Sequence, residues 1–369
     1  MDTVKTTKTD ELKDAKTMEA VVKTESGYDN MELKQIPIPD VTGDKVLLKV
    51  AYTGICGTDI HTFKGRYANA VTPLVLGHEF SGEVVKVGPD VKTLKPGDRV
   101  TSETTFATDG TCIYCQDKEY NLCPNRVGIG TKANGSMANY VLTREESAHI
   151  LPDNVSYKMA AMSEPLASCV HAMYQKTPFT LHDTLLIIGP GPMGLLSLQI
   201  AKEIGAFVIV SGITKDADRL QIAKELGADV IVDTQKEDLA KVVMDATDGV
   251  GVTKVYDCSG ATPAVNAALP LIRKGGTFQQ VGLFAKPMNE LDERSIIQHE
   301  ITYRGSRSQN PYDWAIALHL ESKGAINQDA MITKVFDLEH WRDAFDAMMA
   351  GKELKVMIAS NPNDPDLAD

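Results

Sequence analysis

The sequence predicts an α/β chain of two unlike parts, a β-rich first domain followed by a doubly wound parallel sheet with helices on both faces. Three observations carry this. From residue 18 the chain runs in short β-type segments broken by turn signals such as Pro-Asp and Lys-Pro-Gly-Asp. From about residue 163 the texture changes to buried apolar runs alternating with helical segments, the pattern of a parallel sheet. With 369 residues, the chain is also too long for one small core.

Residues 1–17 are polar, Thr/Lys/Asp-rich and without hydrophobic period, so a flexible tail is expected there. The first domain spans 18–165, with strands expected at 18–22, 31–35, 45–51, 83–87 and 99–102. Residues 165–174 have helical spacing. The second domain, 166–307, has apolar strands at 183–188, 208–211, 230–232, 255–258, 277–281 and 301–304. Helical segments lie between most of them, at 195–205, 218–226 and 236–247. Residues 308–369 are expected to return to the first domain through helices at 314–322 and 339–350 and a last strand at 355–359.

The formal net charge is −12, with 43% hydrophobic and 24% charged residues and no basic stripe. This excludes the electrostatic footprint of a nucleic-acid binder or an anionic-membrane binder. No apolar run reaches membrane-span length, and the N-terminus lacks the apolar core of a secretory signal. Three of the six cysteines fall between 112 and 123, a spacing that suits metal ligation better than a disulfide framework. A cytoplasmic location is expected.

Gly189-Pro190-Gly191-Pro192-Met193-Gly194 sits between an apolar strand and a helix. In that context the spacing marks a dinucleotide-binding turn. Gly189 permits the tight turn, Gly191 lets backbone approach a pyrophosphate, and Gly194 allows close helix–strand packing. The helix expected after Pro192, Met193 and Gly194 faces the phosphates with its dipole and free N–H groups. About 20 residues on, where an acidic residue usually holds the adenosine ribose, the chain reads Ser211-Gly212-Ile213-Thr214-Lys215-Asp216. Gly212 leaves room for a 2′-phosphate that Thr214, Lys215 or Arg219 can contact. Alternatively Asp216 curls back to the ribose diol. The cofactor is NAD or NADP.

Upstream, Gly54-Ile55-Cys56-Gly57-Thr58-Asp59-Ile60-His61 and Gly77-His78-Glu79 bring a thiol, a hydroxyl, two imidazoles and two carboxylates together. Such side chains suit a catalytic metal site with three protein ligands and one open position. Cys56 and His78 are the first two candidate ligands, and Glu79 or Glu164 the third.

These motifs, with Lys95-Pro-Gly-Asp-Arg-Val100, Asn121-Leu-Cys-Pro124 and Glu164-Pro-Leu166, resemble the zinc-dependent medium-chain dehydrogenases, in particular the sorbitol (L-iditol) and polyol dehydrogenase branch. The resemblance covers residues 18–360. It implies a GroES-like catalytic domain and a Rossmann nucleotide-binding domain. It also implies a catalytic zinc on Cys56 and His78, with Glu79 and Glu164 completing the site, one directly and the other through water. Asp59 would accept a hydrogen bond from a zinc-bound imidazole. Thr58 and His61 would relay a proton from the alcohol, by way of the nicotinamide ribose, to the surface.

The family's second, structural zinc uses four cysteines; here Asp109 stands at the first place and Cys112, Cys115 and Cys123 at the others, giving either a Cys₃Asp zinc site or a weakened one. The activity implied is transfer of hydride from a secondary hydroxyl of a polyol of the sorbitol, L-iditol or xylitol type to NAD(P), giving a ketone. L-Threonine 3-dehydrogenase or 2,3-butanediol dehydrogenase activity is the alternative, and a non-catalytic NADP-binding protein on the same fold is a further one. A homodimer or homotetramer is implied, with a small-molecule polyol or diol as substrate.

Overall fold

The computed structural model describes residues 15–365 and Leu367. Residues 1–14 of the expected tail lie outside the described residues, and the first strand already begins at Thr17. The chain divides into two compact units. One comprises the residues up to Glu164 with Asn310–Leu318 and the segment from Ile332 on, and the other comprises Pro165–Gln309 with His319–Met331. The sequence read 308–369 as one continuous return, whereas residues 319–331 pack with the second unit. Apolar content alone does not say which core a short segment joins.

In the first unit Thr17–Lys23 pairs antiparallel with Met31–Pro37 and, on its other edge, with Leu74–Val75. The larger sheet runs in the order Ala148–Ile150, Arg99–Ser102, Glu79–Val87, Lys45–Gly54, Lys355–Ala359, Ile332–Asp337. Its hub is Lys45–Gly54. One edge of that strand pairs with Glu79–Val87, while the other is shared by Tyr140–Arg144, opposite residues 45–49, and Lys355–Ala359, opposite residues 52–54. Gly54 therefore faces Glu79 across one edge and Met357 across the other.

Sequence pattern located the apolar halves of these strands but not their polar ends. Residues 79–82 are Glu-Phe-Ser-Gly, a poor strand sequence, yet they pair with 50–54 and are buried. Tertiary pairing overrides local propensity here. Beneath the sheet, Met18, Val21, Ile55, Phe63, Leu76, Trp341 and Phe345 belong to one apolar cluster. Each large side chain fully buried contributes about 1.5–3 kcal/mol.

The second unit is a six-stranded, all-parallel sheet in the order Val230–Asp233, Phe207–Gly212, Thr184–Ile188, Val252–Asp257, Ile272–Gln280, Thr302–Gly305. Counted along the chain this is 3-2-1-4-5-6, the Rossmann order; the sequence predicted a doubly wound parallel sheet but not the order of its strands. The order reverses between Thr184–Ile188 and Val252–Asp257, and such sheets bind ligands outside the carboxyl ends at that point. Leu186, Ile188, Ile209, Val255 and Phe278 form its core. No helix among the described residues is long and apolar enough to cross a membrane.

Candidate metal centre and nucleotide loop

Cys56 follows the strand Lys45–Gly54 by two residues and is the N-cap of the helix Gly57–Phe63. His78 and Glu79 enter the strand Glu79–Val87. The ligand atoms of Cys56, His78 and Glu79 all lie within 4.8 Å of one another. His78 is 9% exposed and Glu79 2%. Glu164, second residue of the helix Ser163–Val170, is 9% exposed and falls outside that tight trio. It is near enough for its charge to act on His78.

Burial opposes a charge on His78, but Asp59, then Cys56 and Glu164, outweigh it and raise its pKa well above the usual value. His78 Nδ1 is buried without a hydrogen-bond partner. A buried orphan imidazole nitrogen, on a ring grouped with a thiol and a carboxylate, fits a bound cation.

Asp59 departs from its expected part. Its Oδ1 lies 3.7 Å from His78 Nδ1, beyond hydrogen-bonding range. Instead the Cys56 N–H donates to Oδ2 at 2.9 Å and the Gly77 N–H to Oδ1 at 3.2 Å. The carboxylate thus ties together the two segments that carry the donors. A sequence shows that Asp59 is near Cys56, but not that the backbone of residue 77 takes up its second oxygen.

Thr58 Oγ1 stands 3.3 Å from His78 Nε2. His61 is exposed and sits three residues on in the same helix, which puts it on the same face as Thr58. Sequence reasoning missed one further residue of this site. Lys355, first in the last strand and 2% exposed, pairs with Glu79 Oε2 and donates to the Ile55 carbonyl at 3.3 Å. A lysine opening an otherwise apolar strand was the available signal. Burial lowers its affinity for a proton, but Glu79 and Cys56 more than compensate, and its pKa is raised. Stripping one partner from such a buried pair costs about 3–5 kcal/mol.

The second donor group is local in sequence. The ligand atoms of Asp109, Cys112, Cys115 and Cys123 also lie within 4.8 Å of one another. Cys112 and Cys115 sulfurs are 3.5 Å apart, and Asp109 oxygens lie 3.5 Å from the sulfurs of Cys115 and Cys123. The N–H groups of Cys112 and Thr111, and then Asn125, donate to Asp109 and hold its carboxyl well below the usual range. Burial pushes the Cys112 thiol up to about 11. Three sulfurs and an ionised carboxylate converging this closely fit a Cys₃Asp cation site.

In the second unit Gly189 follows the strand Thr184–Ile188 with φ +93°, a conformation that favours glycine. A Cβ on Gly194 would lie 2.1 Å from the Gly189 carbonyl oxygen, so only hydrogen fits. Beside Gly191 there is open space, and Pro192 begins the helix Pro192–Ile204. That is the cradle a pyrophosphate needs.

Near the end of the strand Phe207–Gly212 the expected contacts are partly spoken for. The Ile213 N–H donates to Asp216 Oδ2 at 3.2 Å, so Asp216 caps its own turn. Thr214 Oγ1 donates to Asp233 at 2.9 Å. Asp233 closes the third strand and also pairs with Lys236. Gly212 packs against Pro190, where a Cβ would come within 3.1 Å of the ring. Lys215 is exposed. Nothing in the local pattern pointed to Asp233, which is 19 residues beyond Thr214.

Known proteins resemble this chain along most of its length. Residues 42–153 match the alcohol dehydrogenase GroES-like domain family, and residues 192–323 match the zinc-binding dehydrogenase family. D-Arabitol-phosphate dehydrogenase of Enterococcus avium is 68% identical over 350 residues, covering 95% of this chain and 99% of that protein. Sorbitol dehydrogenase of Halalkalibacterium halodurans is 45% identical, covering 92% and 99%. Among solved structures, a protein of Sinorhizobium meliloti assigned as a zinc-binding dehydrogenase and bound to NADP superposes with a TM-score of 0.87 at 32% identity, covering 94% and 100%.

The chain belongs to the zinc-dependent medium-chain dehydrogenases, built from a GroES-like domain and a Rossmann domain. It is an oxidoreductase of their polyol dehydrogenase branch.

Proposed function

We propose that the chain oxidises a secondary hydroxyl of a phosphorylated pentitol, of the D-arabitol phosphate class, to the corresponding ketose phosphate with NAD(P), and runs the reverse reduction. The convergence of Cys56, His78 and Glu79 in one tight trio, the last two buried, carries the reaction type. The 68% identity across nearly the whole of a D-arabitol-phosphate dehydrogenase supports the substrate class.

Cys56 and His78 hold the cation, with Glu79 and Glu164 as the carboxylates that complete its surroundings. When bound, zinc supplies the Lewis acidity that makes a hydroxyl easier to deprotonate, and NAD(P) accepts the hydride. Thr58 Oγ1 accepts the substrate hydroxyl's proton as it passes its own on, and His61, exposed on the same helix face, releases a proton to solvent, so that one proton leaves for each hydroxyl deprotonated. Asp59 keeps Cys56 and Gly77 in register. Asp109, Cys112, Cys115 and Cys123 hold a second, structural cation. Gly189, Gly191, Pro192, Met193 and Gly194 bind the pyrophosphate, while Gly212, Thr214, Lys215 and Arg219 border the adenosine ribose. A cytoplasmic homo-oligomer, dimer or tetramer, is the state the family resemblance suggests.

A panel of D-arabitol phosphates, D-arabitol, sorbitol, xylitol, 2,3-butanediol and L-threonine, each with NAD and with NADP, tests this reading alongside metal counting. The highest kcat/KM is expected for a phosphorylated pentitol. A preference for unphosphorylated sorbitol or for L-threonine would refute the substrate class.

A further inference from the structure

The surroundings of the Cys56 trio contain more negative charge than a divalent cation can neutralise. A thiolate from Cys56 and carboxylates from Glu79 and Glu164 amount to three negative charges, with the Asp59 carboxylate beside His78 as a fourth; the carboxylates are buried and Cys56 partly so. Lys355 is the compensating group. It is buried, its ammonium is paired with Glu79, and it donates to the Ile55 carbonyl, one residue before Cys56. The chain reserves space for this pair. A Cβ on Gly54 would fall 2.4 Å from Glu79 Oε2 and 3.0 Å from Lys355 Cε. Gly54 lies opposite Glu79 in the sheet, at a backbone position that does not need glycine for its φ. Glycine is there because the ion pair occupies the side-chain space.

Resting on the metal-site reading above, we propose that Lys355 is a positioning residue for the metal centre, fixing the Glu79 carboxylate and offsetting one negative charge so that the bound cation keeps its Lewis acidity. Without it, Glu79 is free to turn its whole charge onto the cation. A cation with three uncompensated anionic neighbours acidifies a hydroxyl less.

The test uses the full chain loaded with cobalt(II), whose visible absorption reports the ligand set, together with metal content and steady-state kinetics. Lys355→Met is expected to change the cobalt spectrum and lower kcat at least about tenfold, with KM within about threefold. Lys355→Arg is expected to stay within about threefold of wild type on both readouts. Gly54→Ala, which displaces the carboxylate while leaving both charges in place, is expected to perturb the spectrum too.

The Lys355→Met/Glu79→Gln pair leaves no lone buried charge and is expected to fold. On a Glu79→Gln background the lysine change should add nothing to spectrum or kcat. A Lys355→Met protein with wild-type spectrum and turnover, additive effects in the pair, or a neutral pair that fails to fold would each overturn the proposal. Wild-type protein that binds no metal through Cys56 would instead overturn the functional reading, so the two failures are distinct.

Discussion

The two donor clusters of the first unit are built on opposite plans. Asp109, Cys112, Cys115 and Cys123 come from one short loop with little regular structure, and their carboxylate is fixed by backbone N–H groups a few residues away. Cys56, His78 and Glu79 come from separate segments joined by sheet pairing and by the Asp59 clamp, with Lys355 brought in 276 residues after Glu79. A local cluster needs its cation to organise the loop. A cluster set on a sheet stands without it and can keep a position open for substrate. Under the proposed function, the difference separates a metal that would stabilise from a metal that would react.

Four outcomes test that contrast, in falling order of effect. Cys56→Ser should cut turnover by about three orders of magnitude while the melting temperature stays within a few degrees of the metal-free wild type, because the sheet does not depend on the thiol. Activity near wild type would show that the trio is not the reaction centre. Thr58→Val removes the hydroxyl but keeps the shape, and should lower kcat about 10²-fold with metal content unchanged. Asp59→Asn can no longer accept from both backbone N–H groups, and should lower kcat/KM about 10- to 100-fold, with metal bound more weakly. Wild-type metal affinity in that variant would remove the clamp from the account.

The local cluster should respond in the opposite sense. Cys115→Ser, or mild chelation, should lower thermal stability by several degrees and leave kcat of the surviving enzyme within about twofold. If the lobe variant loses turnover before it loses stability, the contrast between the clusters fails.

The nucleotide loop shows how far local sequence reaches. The order strand, Gly189-x-Gly191-x-x-Gly194, helix was legible because each glycine meets a constraint within a few residues: a positive φ, an open approach, a contact too close for a side chain. The discriminating end of the next strand was less legible. Thr214 was one of three candidates, with Lys215 and Arg219, to contact a 2′-phosphate, and its hydroxyl is engaged by Asp233 from the neighbouring strand.

Periodicity, turn residues and motif spacing by themselves pointed to a β-rich part, a doubly wound part and the glycine turn, since these depend on residues close together in the chain, while the two donor groups were read with the help of the family resemblance. Tertiary structure alone decided that Asp59 joins Cys56 to Gly77 rather than bonding the imidazole, that residues 319–331 belong to the second unit, and that Lys355 answers Glu79. Each of those depends on which strand edges meet, and pairing across a sheet brings together residues whose separation along the chain carries no trace of the contact.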